Sequence, residues 1–98
     1  MILNSIDGPV ILPTSTKLMG TYLNNPVPIY LQCLADAVPT STYKWNSPSG
    51  KDVGKSSTLV IKNPTVDTQF GDYICEASNT IHFARHTVKV VKIGRLSL

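Results

Sequence analysis

Ninety-eight residues suffice for one domain and are too few for two. Hydrophobic residues make up 42% of the chain and charged residues 15%, ordinary globular proportions that argue against intrinsic disorder. The formal net charge of +3 is spread over isolated lysines and arginines without a basic run, which argues against a nucleic-acid reader and leaves an acidic or sulfated glycan as a weakly supported partner.

The first eight residues, Met-Ile-Leu-Asn-Ser-Ile-Asp-Gly, carry neither a basic n-region nor an apolar run of signal-peptide length. No stretch of the chain approaches the roughly 20 apolar residues of a membrane span. Residues 1–8 and the tail 93–98 are expected to be linker or appended segments. The folded module is expected at 9–92, as one part of a longer protein whose anchor and neighbouring domains lie elsewhere.

Within 9–92 the first elements are Pro9-Val10-Ile11-Leu12-Pro13 and Lys17-Leu18-Met19, which read as two pieces of one broken edge strand. Proline cannot donate to a ladder, so Pro13 suits an edge or a crossing between sheets. Next, Val27, Ile29, Leu31, Cys33 and Ala35 fall at spacing two, with Pro28, Tyr30, Gln32 and Leu34 on the opposite face. Tyr43 and Trp45 then alternate with Lys44 and Asn46, and Leu59 and Ile61 with Val60 and Lys62. Tyr73, Cys75 and Ala77 alternate with Asp72, Ile74, Glu76 and Ser78, and finally Val88 and Val90 with Thr87 and Lys89. Each run offers one apolar stripe to a core and a more polar one to solvent, as a half-buried antiparallel strand requires. No 3.6-residue apolar period persists for three turns, so helix is not expected beyond a single turn. There is no low-complexity segment and no internal repeat of the size of a structural element. The pattern predicts an all-β sandwich or small barrel.

The chain has two cysteines, Cys33 and Cys75, which allow a single intramolecular pairing. Both share the inward parity of their strands, so a bridge would join two facing sheets and enclose about forty residues. The other reading is a pair of buried thiols in a reducing compartment. Trp45 follows Cys33 by twelve residues, on the next strand and facing inward. Tyr73 precedes Cys75 by two and follows Phe70-Gly71-Asp72.

Cys33, Trp45, Leu59-Val60-Ile61 and the run Gly71-Asp72-Tyr73-Ile74-Cys75-Glu76-Ala77-Ser78-Asn79 together resemble the immunoglobulin superfamily in order and spacing, over about residues 9 to 92. The resemblance implies a two-sheet antiparallel Greek-key sandwich with Trp45 packed on the disulfide and Tyr73 forming the tyrosine corner. Only thirteen residues separate Trp45 from Leu59. That connection is too short for the extra strand pair of a variable domain, and it points to the I-set or C2-set modules of adhesion molecules and receptors. Two positions depart from the family pattern. Gln69 stands where an ion-paired aspartate is common, so that salt bridge is expected to be missing. His82 stands where the hairpin after Cys75 commonly has glycine, so the hairpin must either differ in geometry or carry strain.

No catalytic constellation is visible. His82 and His86 are four apart, a zinc-ligand spacing on a helix but roughly 13 Å apart on a strand. No nucleophile motif surrounds the serines and threonines, and the six glycines are dispersed, so no cofactor or metal is expected. Asn63-Pro64-Thr65 has proline in the position that blocks N-glycosylation, and no other asparagine has Ser or Thr two residues later.

Function therefore has to come from exposed residues. With Cys75, Val88 and Val90 inward, the alternation turns Lys44, Ile74, Glu76, Phe83, Arg85, Thr87 and Lys89 outward, and Ile81 extends that face at the hairpin tip. Apolar groups ringed by charge suit a protein interface. Tyr30 and Leu34 on the earlier strand form a second candidate surface. The expected function is that of a non-catalytic recognition module of an adhesion or receptor ectodomain, ligand-binding or spacer, on the extracellular side of the plasma membrane or in a secreted chain. A homophilic or heterophilic protein partner, or an adjacent domain of the same kind, would contact this face. The rival reading is an intracellular I-set module of a muscle-type scaffold, which differs mainly in the redox state of the two cysteines.

Overall fold

A computed structural model describes residues 7–94. Most of the linker assigned to residues 1–8 and 93–98 therefore lies outside the described residues. Nine strands are described: β1 (Asp7–Ile11), β2 (Leu18–Thr21), β3 (Ile29–Gln32), β4 (Ala35–Val38), β5 (Thr42–Asn46), β6 (Asp52–Gly54), β7 (Thr58–Ile61), β8 (Gly71–Ser78) and β9 (Phe83–Lys92), with a 3₁₀ turn at Asp67–Gln69. One layer has the order β2-β9-β8-β5-β6, and the other is built from the pairs β1-β4 and β3-β7.

The broken first strand is split between the layers. β1 runs antiparallel to β4, whereas β2 runs parallel to β9, with Leu18 opposite Lys89 and Thr21 opposite Lys92. Pro13 sits in the turn between them, where its missing N–H costs no ladder bond. Among the described residues this is the one parallel pair in an otherwise antiparallel sandwich.

The second apolar run does not make one continuous strand. It breaks at Cys33 and Leu34, whose N–H groups leave the ladder to donate to the Ser57 carbonyl at 2.8 Å and the Ser15 hydroxyl at 3.0 Å. Its inward stripe also starts later than the alternation suggests. Val27 is 63% exposed, because the strand begins only at Ile29 and Val27 lies in the preceding turn, where its N–H donates to the Asn25 side chain. The connection after Trp45 holds one short extra strand, β6, paired to β5. β7 pairs with β3 on one side only, so its outer edge is open among the described residues.

Leu31, Cys33, Trp45, Leu59, Ile61, Tyr73, Cys75, Val88 and Val90 form the buried core. A Cys33–Cys75 disulfide crosses it, closing a separation of 42 residues. By the chain-entropy model such a loop contributes roughly 4 kcal/mol, a large share for a small domain. Trp45 lies directly opposite Cys75 in the β5–β8 register and is fully buried. Its indole N–H donates to the Ser56 carbonyl at 2.8 Å, so the ring is buried without stranding its polar edge. Gly54 makes room for it: a Cβ there would lie 3.0 Å from Leu59 Cδ1 and 3.6 Å from Trp45 Cδ1. Tyr43 ties the layers together from the same strand, accepting the Ala35 N–H at its hydroxyl.

The lower end is organised by Tyr73 and Gln69. The Tyr73 hydroxyl donates to the Gln69 carbonyl at 2.6 Å, the tyrosine-corner geometry. The Gln69 side chain fills the structural place of the missing carboxylate, its Oε1 accepting from the Thr65 and Val66 N–H groups at 2.7 and 3.1 Å. A nearby exposed ion pair joins Lys92 to Asp67 at 2.9 Å. Gly71 opens β8 at φ +131°, and a Cβ on it would press within 3.2 Å of Pro48. Both facts demand glycine at this position.

Two predictions follow from this core. Trp45→Ala should cost about 3–5 kcal/mol in denaturant unfolding, as expected for removing a central aromatic. Burial pushes the Tyr73 phenol above its ordinary pKa, so the folded state holds that proton more tightly than the unfolded state does. Its contribution is complete below the unfolded tyrosine pKa of about 10 and is lost as pH rises through the folded value. Stability curves of Tyr73→Phe should therefore fall less steeply than wild type at the alkaline end, and parallel curves would refute the assignment.

Candidate interaction face

The outer surface of β5, β8 and β9 is a grid set by two registers. Lys44 is opposite Glu76, and Glu76 is opposite Arg85. Asn46, Ile74 and Thr87 form the adjacent row, and Thr42, Ser78 and Phe83 form the row on the other side. Because side chains alternate across a strand, every residue in these rows points away from the disulfide layer.

In the middle row Arg85 donates to Glu76 at 3.2 Å. The Arg85 guanidinium also lies 5.0 Å from the centre of the Phe83 ring, a cation–π distance, and His82 flanks that ring at 5.1 Å. Phe83, Arg85 and Glu76 therefore form one connected strip running from the hairpin toward the middle of the face. Beside it lies an open groove of about 690 Å³, lined by Lys44, Asn46, Ser47, Pro48, Gly50, Asp72, Ile74, Glu76 and Arg85. Ile74, 38% exposed, and Pro48 are its apolar lining, while Phe83, 44% exposed, lies outside it on the same face.

Of the residues singled out from sequence, the groove gathers Lys44, Ile74, Glu76 and Arg85. Ile81 is exposed at the hairpin tip, and Thr87 sits in the Ile74 row. Lys89 lies farther along, opposite Asp72 on one side and Leu18 on the other. Sequence reasoning missed the rim formed by Ser47, Pro48 and Gly50, although Ser47-Pro48-Ser49-Gly50 is a plain turn signal. The turn closes with Gly50 N–H to the Ser47 carbonyl at 2.8 Å and Gly50 at φ +87°, which brings it over the end of β5. Tyr30 of the second candidate surface is exposed and faces Val60 across the β3–β7 pair, while Leu34 is half-buried.

The hairpin beyond β8 resolves the question posed by His82. Positive φ among non-glycine residues is confined to Asn24 and Asn63 within the described chain, so His82 carries no such strain. The Asn79 side chain supports the turn instead, its Oδ1 accepting the N–H groups of Ile81 and His82 at 3.0 Å each, an Asx-type arrangement. The same side chain donates to the Pro39 carbonyl at 2.9 Å, fastening the hairpin to the β4–β5 loop. His86 points the other way, half-buried against the Thr16 carbonyl. Among the described residues no three His, Cys, Asp or Glu side chains gather as metal ligands would.

The face is thus a supported three-strand surface bearing both signs of charge around two apolar side chains. An immunoglobulin domain model matches residues 9–79. Rat (Rattus norvegicus) immunoglobulin superfamily member 10 is 32% identical over 78 residues, covering 68% of this chain and 3% of that protein. Human (Homo sapiens) neural cell adhesion molecule L1 is 35% identical over 69 residues, covering 64% of this chain and 6% of that protein. Among solved structures, Dpr2 Ig1-Ig2 in complex with DIP-Theta Ig1-Ig3 superposes with a TM-score of 0.66 at 27% identity, covering 87% of this chain and 32% of that one. The chain therefore spans only a few per cent of the length of the curated relatives it matches.

Proposed function

The chain belongs to the immunoglobulin domain family, and from that premise we propose that this non-catalytic module works on the extracellular side of a larger adhesion or receptor protein, recognising a protein partner through the β5–β8–β9 face. The observation that carries this reading is the groove in which Lys44, Asp72, Glu76 and Arg85 ring Ile74, with Phe83 exposed beside it. Apolar groups within a charged rim are what a specific protein contact requires. The relatives named for cell adhesion, and the related domain solved in a complex with another protein, support the same reading.

The face favours a second copy of itself as partner. Lys44 and Arg85 stand beside Glu76 and Asp72, so a two-fold related copy can set each cation against an anion while Ile74 meets its counterpart near the axis. The disulfide supports an oxidising compartment over the intracellular scaffold reading.

Two experiments test the proposal. Intact mass of the native full-length protein from its own cells, with and without reduction and thiol labelling, should show Cys33 and Cys75 oxidised. Two thiols that label only after unfolding would transfer the module to an intracellular scaffold. Separately, Phe83→Asp with Arg85→Glu should weaken clustering of beads coated with the full-length protein by about tenfold or more, the loss of one hot-spot contact, with thermal stability nearly unchanged. Undiminished clustering would remove this face from the interface, and a large loss of stability would place Phe83 in the core.

A further inference from the structure

The tetrapeptide Pro-Thr-Ser-Thr occurs twice, as Pro13-Thr14-Ser15-Thr16 and as Pro39-Thr40-Ser41-Thr42. The two copies lie in different connections, β1–β2 and β4–β5, and share the burial of the serine but not its bonding, since the Ser41 hydroxyl has no hydrogen-bond partner among the described residues. In both, the serine is buried, Ser15 at 5% and Ser41 at 8% exposure. Ser15 is fully engaged, donating to the Leu34 carbonyl and accepting the Leu34 N–H. The final threonine of each copy is also committed. Thr16 Oγ1 accepts the Gln32 N–H at 2.9 Å, and Thr42 Oγ1 lies 3.4 Å from the Ser78 carbonyl and 3.5 Å from its hydroxyl.

That leaves one hydroxyl in each copy both exposed and free of protein partners: Thr14 and Thr40, each directly after a proline. A short run of threonine and serine after proline shares the composition of the Ser/Thr- and Pro-rich stalks that carry O-linked sugars. Pro13 and Thr14 are the central residues of a turn closed by the Ser15 N–H on the Leu12 carbonyl at 3.0 Å, and Pro39 lies in a bend, so neither threonine belongs to a strand. Thr40 also borders an open hollow of about 310 Å³ lined by Pro39, Thr42, Ser78, Asn79 and Thr80, which leaves space beside its hydroxyl.

We propose that Thr14 and Thr40 are O-glycosylation sites, a reading that rests on the extracellular assignment above. The reaction needs a glycosyltransferase and a nucleotide-activated sugar. The threonine Oγ1 attacks the anomeric carbon, the new C–O bond forms as the bond to the diphosphate breaks, and the hydroxyl proton leaves to the transferase base or to solvent. Ser15, Thr16, Ser41 and Thr42 stay unmodified, because each is buried or held by a hydrogen bond.

The test uses the native full-length protein purified from its own cells, digested without reduction and mapped by mass spectrometry that preserves glycosidic bonds, with cysteine labelling in parallel. No N-glycosylation acceptor exists in this sequence, so hexose or hexosamine mass on its peptides is O-linked. The expected result is sugar mass localised to Thr14 and Thr40, lost from one peptide in Thr14→Ala and from the other in Thr40→Ala. Oxidised protein with bare threonines would overturn this inference and leave the extracellular reading standing, and sugar on Ser41 or Thr42 instead would overturn the argument from exposure. Reduced, labelled cysteines would overturn both, through a readout independent of the sugar.

Discussion

Everything else in this domain hangs on the pin formed by Cys33, Cys75 and Trp45. The disulfide fixes the distance between two layers that share no backbone hydrogen-bond ladder, and the indole fills the space directly beside it. Once Cys75 faces inward, strict alternation turns Ile74 and Glu76 outward, and the β8–β9 register turns Phe83, Arg85 and Thr87 outward with them. The outer face of β5, β8 and β9 is thus the reverse side of the core, and a single inward residue on β8 decides which side chains it presents.

The ends of the sandwich are held by polar side chains where the family pattern would lead one to expect other devices. Gln69 holds the lower turn with an amide oxygen instead of an ion pair, which avoids desolvating a charge to obtain the same backbone bonds. Asn79 does the corresponding work above, using its oxygen to shape the hairpin and its nitrogen to tie it to Pro39. Both solutions fix the end loops by side-chain hydrogen bonds to neighbouring backbone.

Much of this was legible in the sequence because it depends on local parity. The Cys33–Trp45–Tyr73–Cys75 frame and the outward set on β8 and β9 follow from counting by twos. What escaped depends on interactions between segments distant in sequence. The break at Cys33 and Leu34 is imposed by Ser57 and Ser15, and no residue near the cysteine announces it. The exposure of Val27 reflects where β3 starts, a boundary that alternation alone extends too far. The pairing of β2 with β9 was hidden because a broken edge strand does not say which sheet its second half will join. The rim at Ser47 and Pro48 was visible as a turn but not as a wall, since only the fold places it over the end of β5.

The parallel seam between β2 and β9 has a mechanical consequence. β2 is the second and β9 the last of the described strands, and they run side by side in the same direction. In a tether anchored at both ends, tension would draw these two strands past each other along their length. Their cross-links, including Lys89 N–H to the Lys17 carbonyl and Ile93 N–H to the Thr21 carbonyl, lie across that direction, so they share the load together and cannot be unzipped one at a time. Behind the seam the covalent bridge limits how far the remaining 42-residue span can extend. The same seam and bridge would let the outer face of β5, β8 and β9 keep its register while the chain is pulled.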